Sequence, residues 1–362
     1  MSVTIDVTGL TTSDYRFAPS ALAELGSALH LLVEPNHHPT RSGWVAAVTA
    51  AVPPELLDRI VEMDYLWRTS RSDLFLPAVP DVELAHELDR IDGLADEVWV
   101  GAALITSSCG TVALHRDLGS PLVDDRARDL ARERAASRGP RQSAFVDFVL
   151  EHPADARAAV RRLLEDCDRE FFARAWERIV VDLAADARLK RDLLAAYGLD
   201  RALSAVSPAV TLNRAGNRIV VDKLQDNGTS AGDAGVTFLP SAFGHPHLMV
   251  VHAPGWSPVI QYPTATSAIG DVVALDEIQL RLRALDHPAR LRIARSLMRG
   301  HRTTAELADA WNLTAPEVSR HLAMLREAGI VTSVRSGRYV LYELDQDAVA
   351  RFGLDLLDAL LR

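Results

Sequence analysis

At 362 residues the chain is long for one domain and implies at least two, with ample material for a core. A composition of 48% hydrophobic and 24% charged residues is that of an ordinary globular protein, and the net charge of −10 excludes a chain that coats nucleic acid over its whole surface. Two cysteines, Cys109 and Cys167, give no disulfide framework, which fits a reducing cytoplasm. The start, Met1-Ser2-Val3-Thr4-Ile5-Asp6, lacks the basic and apolar regions of a signal peptide. Val98 to Leu114 is uncharged but too short and too polar for a membrane span, and reads as a buried helix or strand pair.

Residues 1–265 read as a mostly helical domain. Leu22, Leu25, Leu29 and Leu32 follow Ser20 at helical spacing, and Pro53-Pro54 opens a second amphipathic stretch that runs to Trp67. Asp81–Leu94, Leu122–Ala136, Ala154–Asp166 and Arg169–Tyr197 carry the same period, and Arg138-Gly139-Pro140 marks a loop or hinge. A β region follows at about 210–263: Arg218–Leu224, Gly235–Leu239, His247–His252 and Pro258–Tyr262 are short, β-rich and punctuated by Gly and Pro. Asp226–Asp233 reads as an exposed loop between two of these runs. The expectation is a small antiparallel sheet, with Pro263–Gly270 as the connection to the next domain. The fold class is mainly α with small antiparallel β elements, an α+β chain.

Little in this domain points to chemistry. His245, His247 and His252 give H-x-H-x4-H, but Pro246 argues for a turn, so strand-end histidines are the simpler account. His37-His38 is a loop pair with no spaced partner. Phosphate-loop, dinucleotide and nucleophile-elbow strings are absent. Trp44, Tyr65, Trp67, Trp99 and Trp176 fall on predicted helices or their ends, where core burial explains them. No catalytic residue, metal ligand or cofactor is assigned, and the effector residues are unknown.

Residues 266–362 are more explicit. Thr303-Thr304-Ala305-Glu306 and Thr314-Ala315-Pro316-Glu317 are two capping boxes, opening helices at Ala305 to about Asn312 and about Ala315 to Ala328, with Gly329 as the stop. The β-rich runs Ile330–Val334 and Tyr339–Leu344 then flank a Ser-Gly turn as a hairpin. Helix, turn, helix and hairpin make a winged helix-turn-helix. In the second helix Val318, Leu322 and Leu325 form a buried stripe, so Thr314, Pro316, Ser319 and Arg320 can enter a major groove. Arg335 and Arg338 at the hairpin tip can meet phosphates or a minor groove. Ile278–Leu344 holds eleven Arg and no Lys against six acids, a net +5 that leaves −15 on the rest of the chain. One local electrostatic footprint follows.

His287–Ile293, Thr304–Ala308, Val318–Ile330 and Gly337–Tyr342, in that order and spacing, resemble the ArsR/SmtB family of bacterial repressors over about eighty residues. The resemblance implies a dimer reading an inverted repeat in double-stranded DNA, with Ser319 and Arg320 facing bases. Many members sense metal through a Cys pair on the helix before the recognition helix. Here that helix reads Glu306-Leu307-Ala308-Asp309-Ala310-Trp311, so no thiolate site can form there. On the last helix Asp345, Asp347, Asp355 and Asp358 read as solvated acids. Val349, Phe352, Leu356 and Leu360 form a stripe that needs covering, and the resemblance favours a second subunit, together with a helix around Val273–Leu285.

Leu239-Pro240-Ser241-Ala242-Phe243 and Ile260-Gln261-Tyr262-Pro263 make the front domain similar to a poorly characterised domain found ahead of ArsR-type winged helices in other bacterial regulators. Relatives usually carry an aromatic residue where this chain has His245. The expectation from all of this is a cytoplasmic, dimeric transcriptional repressor and not an enzyme, with the front domain as a small-molecule sensor or scaffold. Two alternatives stay open: a protein-interaction module that uses its winged helix only to dimerise, and an autoregulating enzyme with a catalytic front domain.

Overall fold

The computed structural model describes residues 2–68, 71–106, 118–223, 227–251, 256–264, 275–298, 300–336 and 339–361. The chain divides into two compact units, Met1–Asp271 and Val272–Leu361.

The first unit surrounds one buried helix. Helix α1 (Ala21–Val33) is buried at every position from Ala21 to Leu31, as its mostly apolar sequence requires, with Glu24, Ser27 and His30 as its buried polar groups. Its start is capped twice: Ser20 Oγ accepts from Ala23 N at 3.0 Å, and Glu87 accepts from Leu22 N at 2.7 Å. Around it run α2 (Ser42–Ala51), α3 (Pro54–Glu62), α4 (Leu84–Asp92), α5 (Asp96–Gly101), α6 (Asp125–Arg138) and α7 (Pro140–Glu151). Helices α8 (Pro153–Cys167) and α9 (Ala173–Tyr197) join through one π-helical segment, Asp168–Phe172, and α10 (Leu199–Val206) follows. Gly139 sits at φ 137° between α6 and α7, a left-handed break that suits glycine, and Pro140 opens α7.

Two four-stranded sheets complete this unit. One, in the order β3-β4-β1-β5, combines β1 (Ser2–Asp6), β3 (Val210–Leu212), β4 (Arg218–Asp222) and β5 (Asn227–Ser230). The other, in the order β2-β6-β8-β7, combines β2 (Tyr15–Phe17), β6 (Val236–Ser241), β7 (Met249–Val251) and β8 (Val259–Pro263). The pairing is mixed where a purely antiparallel sheet was expected: β1–β5, β2–β6 and β6–β8 are parallel. Both sheets recruit an N-terminal strand: Val3 and Ile5 face Val221 and Ile219 in one, and Tyr15 and Phe17 face Val236 and Phe238 in the other. Sequence reading sees no such partner, because a strand of three to five residues shows its pairing only across the fold. Asn227–Ser230, read as part of a loop from its Asn-Gly-Thr-Ser composition, is instead the edge strand β5, held by β1. Of that loop, Asp226 lies outside the described residues, as do Cys109 and most of the Pro263–Gly270 connection.

The strand ends fix α1. Glu24 accepts from Ala242 N and Phe243 N, each at 2.7 Å, and from Ser241 Oγ. Gln261 donates to Ala23 O and Ser27 Oγ at 3.1 Å, and the buried Arg71 donates to Ser27 Oγ at 2.9 Å and to Gln261 Oε1. Tyr262 Oη donates to Asp186 on α9 at 2.7 Å. The motifs Leu239–Phe243 and Ile260–Pro263 therefore act as clamps on the central helix. Gly244 follows the first clamp where a Cβ would meet Ser241 Oγ at 2.7 Å, so a side chain there would force Ser241 off its bond to Glu24.

The second unit contains α11 (Leu275–Leu285), α12 (Pro288–Leu297), α13 (Thr304–Trp311), α14 (Ala315–Glu327), the hairpin β9 (Val331–Ser336) and β10 (Tyr339–Leu344), and α15 (Gln346–Leu361). Its core is Ile293, Leu297, Leu307, Val318, Leu322, Leu325, Ile330 and Leu344. Arg302 pairs with Tyr342 as a one-residue third strand. Among the described residues no helix is long and apolar enough to cross a membrane.

Candidate nucleic-acid interface

Both capping boxes form. Thr303 N donates to Glu306 Oε2 at 2.7 Å, and Glu306 N donates back to Thr303 Oγ1 at 3.2 Å. Thr314 N and Oγ1 donate to Glu317 Oε2 at 2.8 and 2.7 Å. These bonds, the backbone one foremost, hold the Glu306 and Glu317 carboxyls below the usual range. Asn312, at φ 51°, ends α13 in the left-handed region and turns the chain into α14, and Gly329 at φ 67° ends α14.

On α14, Val318, Leu322 and Leu325 are buried, while Thr314, Pro316, Ser319 and Arg320 are exposed. Four expected contact residues thus share one solvent face over a fixed apolar stripe. With Glu317 folded back onto Thr314, the Arg320 guanidinium makes no ion pair among the described residues. Arg335 is exposed on β9, in register with Val340. Arg338 lies outside the described residues.

Other charges that sequence leaves ambiguous resolve into scaffolding. Arg290 is buried, and its guanidinium donates to the carbonyls of Ala284 at 2.5 Å and Arg283 at 2.8 Å, closing the end of α11. Arg281 donates to Asp355 on α15 at 2.7 Å, and both side chains are nearly buried. Asp355 is therefore not a solvated acid, contrary to the sequence reading. Helical periodicity counted it on the polar face and could not show Arg281 reaching across. Asp345 has a local task as well, since its Oδ1 accepts from Ala348 N at 2.9 Å at the start of α15. On α13, Trp311 donates to Ser296 Oγ at 2.9 Å.

The stripe expected to meet a second subunit is only partly covered within one chain. Val349 is 41% and Leu360 63% exposed, with Phe352 and Leu356 half-buried, and Leu282 of the neighbouring α11 is 44% exposed.

The histidine runs in the first unit behave differently from their sequence reading. His245 lies in the turn before β7, and His252 falls outside the described residues. His37 and His38, expected to stand alone, pack against His30 of α1 and against His247, with ring centroids 5.0–5.7 Å apart. Period-based reading misses this group because its members come from a helix, a loop and a turn more than two hundred residues on. Burial drives His30 down to about 3 and His38 to about 4, so both rings are neutral near pH 7.

Comparison with known proteins matches both units. The model of the bacterial regulatory protein arsR family covers residues 287–333, and that of a family of unknown function, DUF5937, covers residues 1–268. The HTH-type transcriptional repressor SmtB of Mycobacterium tuberculosis is 44% identical over 81 residues, which are 22% of this chain and 60% of that protein. A biofilm growth-associated repressor of Agrobacterium fabrum is 39% identical over 21% of this chain and 64% of its own length. The transcriptional repressor SdpR of Bacillus subtilis is 30% identical over 17% and 70% respectively. The chain thus spans about three fifths of the length of the first of these relatives. Among solved structures, a homodimeric winged helix-turn-helix DNA-binding domain of Mycobacterium bovis is 28% identical over 24% of this chain and 80% of its own, with a TM-score of 0.21. The repressor BigR of Xylella fastidiosa is 32% identical over 24% and 83%, with a TM-score of 0.20. The chain belongs to the family of unknown function DUF5937, and its C-terminal segment is a domain of the bacterial arsR regulatory family.

Proposed function

We propose that this protein is a sequence-specific, DNA-binding transcriptional regulator that acts as a dimeric repressor, with the N-terminal unit as its sensor. The observation that carries the reading is the outer face of α14. Thr314, Pro316, Ser319 and Arg320 stand exposed together at the start of the second helix of an arsR-family domain. That is where a recognition helix reaches base edges. The relatives' names, repressors in all three cases, support the direction of regulation.

The half-covered stripe Val349, Phe352, Leu356 and Leu360 supports dimerisation through α15 and α11, which would place two recognition helices on an inverted repeat. A sensor role for the first unit rests on proportion, since some 270 residues exceed what dimerisation needs. This unit also has an open cavity of about 480 Å³ lined by Asp64, Tyr65, Arg68, Arg138 and Gln142, a size that suits a small polar effector. Such an effector must bind one dimer geometry more tightly than the other, or it shifts nothing.

Selection of sheared genomic DNA by the purified full-length protein, compared with Arg320→Ala, tests the reading. The expected result is a sharp inverted repeat near promoters. Arg320→Ala should lower operator affinity by about 1–3 kcal/mol and relax one base-pair position. No enrichment, with or without cell extract, would refute sequence-specific binding and leave a winged helix that meets protein.

A further inference from the structure

We propose that His30, His37 and His247 form a binding site for a divalent transition-metal ion of the zinc class, with His38 at its edge as a fourth imidazole. One ligand atom from each of the three can be chosen so that all lie within 4.8 Å of one another. His30 Nε2 and His247 Nε2 are 3.1 Å apart. Two nitrogens bound to one tetrahedral ion at about 2.0–2.1 Å stand about 3.3 Å apart, so this pair is already at ligand spacing. Centroid separations among the four rings run from 4.8 to 6.4 Å. Imidazoles radiating from a common ion give about 5 Å by the same geometry.

Hydrogen bonding sets the tautomers in the same sense. His30 Nδ1 lies 2.8 Å from the Trp67 carbonyl, which can only accept, so Nδ1 carries the proton and Nε2 presents a lone pair to the cluster. His38 Nδ1 meets the His245 carbonyl in the same way, and its Nε2 is buried with no hydrogen-bond partner. Metal-binding histidines are oriented in this manner, by a backbone carbonyl on the far ring nitrogen. His37 Nδ1 is also buried without a partner. A hydrogen bond between His30 and His247 accounts for one contact but leaves these two nitrogens unanswered. A metal ion near the ring edges gives the group a common centre.

The three segments that bring the rings together are fastened before any ion arrives. Glu24 ties α1 to the backbone of Ala242 and Phe243, and Arg41, just past His37 and His38, donates to Ala242 O at 2.8 Å. The buried Arg71 guanidinium acts on His30 and opposes a cation, and Glu24 on the same helix opposes Arg71 in turn. Neutral imidazole is a ligand for zinc, copper, nickel and iron, and a set of three leaves a fourth tetrahedral position for His38 or water. This proposal does not depend on the reading of the winged helix, because metal uptake tests it without DNA.

Equilibrium dialysis of metal-stripped full-length protein against Zn²⁺, with Co²⁺ absorption as a report of tetrahedral nitrogen coordination, decides the matter. Wild type should take up one ion per chain and melt at higher temperature with Zn²⁺ than without. His37→Gln and His247→Gln should each weaken uptake by at least about tenfold and abolish the Zn²⁺-dependent shift, while His86→Gln on the exposed face of α4 changes neither. Half-buried His37 and His247 are chosen over buried His30 so that the apo variants keep a cooperative transition, and if one does not fold the other decides. No uptake by wild type, or uptake undiminished in the folded variants, would overturn the site.

Discussion

The two units of this chain are closed by contacts of opposite range. In Val272–Leu361 most of the decisive bonds are local: Thr314 to Glu317 is three residues, and Arg290 reaches back six to the carbonyl of Ala284, with Arg281 to Asp355 the long-range exception. In Met1–Asp271 they are not, since Glu24 holds Phe243 across 219 residues, and Val3 finds Val221. Local contacts announce themselves as spacing in sequence, whereas long-range ones are set by topology. The unit that can be read directly is therefore the one whose partners lie near in the chain.

The comparison can be broken most severely at Glu24. Glu24→Ala leaves Ala242 N and Phe243 N without their carboxylate acceptor, removes one partner of Ser241 Oγ and takes from Arg71 its opposing charge, in a fully buried place. Removal of one member of a buried charged network typically destabilises by about 3–5 kcal/mol. In denaturant unfolding followed for the full chain, the transition of the first unit should move to lower denaturant and that of the winged unit should stay. Equal movement of both would mean that the two units unfold as one.

Acid should also separate them. His30 and His38 are depressed to about 3 and about 4 by burial, against 6.5 when exposed. A depressed folded value means that the unfolded chain takes the proton first as pH falls through 6.5. The stability they lend is therefore present above that pH and is lost on the way down to about 4 for His38 and about 3 for His30. Glu87, pushed up to about 7 by burial, works in the opposite direction, so the informative quantity is a difference between proteins. Between pH 7 and 5 wild type should lose about 2 kcal/mol more than His38→Asn in the first unit. Parallel pH profiles would show that His38 titrates normally in the folded state.

Legibility followed the same division. Both capping boxes, the buried stripe of α14 and the hairpin could be read because each is a pattern within about a dozen residues. In the first unit α1, even to its Ser20 cap, α3, α4, α6, α8 and α9 could be read, whereas α2, α7 and α10 could not, being short and set among turns. Ser2–Asp6 alternates apolar and polar residues as a strand does, but nothing local showed its partners, β4 and β5. Asp355 looked solvated for the same reason, with Arg281 far back in the chain. The four histidines are the sharpest case. His37-His38 and His245-x-His247 were visible as separate runs, yet His30 sits alone inside a buried helix, and only the clamp from Glu24 to Ala242 and Phe243 brings the runs together.

Within the winged unit the same locality predicts a modest and confined effect. Thr314→Ala removes the side-chain half of the capping box that opens α14. Loss of such a cap typically costs about 1 kcal/mol. The winged unit's transition should fall by that amount while the first unit is unmoved. Operator affinity should fall as well, since fraying the first turn of α14 displaces Pro316, Ser319 and Arg320 from a common face. Thr314→Ser, which restores the hydroxyl, should recover both.

The smallest effect distinguishes the two arginine positions. Arg320 lies exposed on α14 and Arg335 exposed on β9. A base contact is lost for one sequence and not for others, whereas a phosphate contact is lost for all. Arg335→Ala should therefore weaken operator and unrelated DNA by the same factor and lower the slope of log affinity against log salt by about one. Arg320→Ala should reduce discrimination more than the slope. If Arg335→Ala instead changed the preferred sequence, the hairpin would be reading a groove, and specificity would no longer belong to α14 alone.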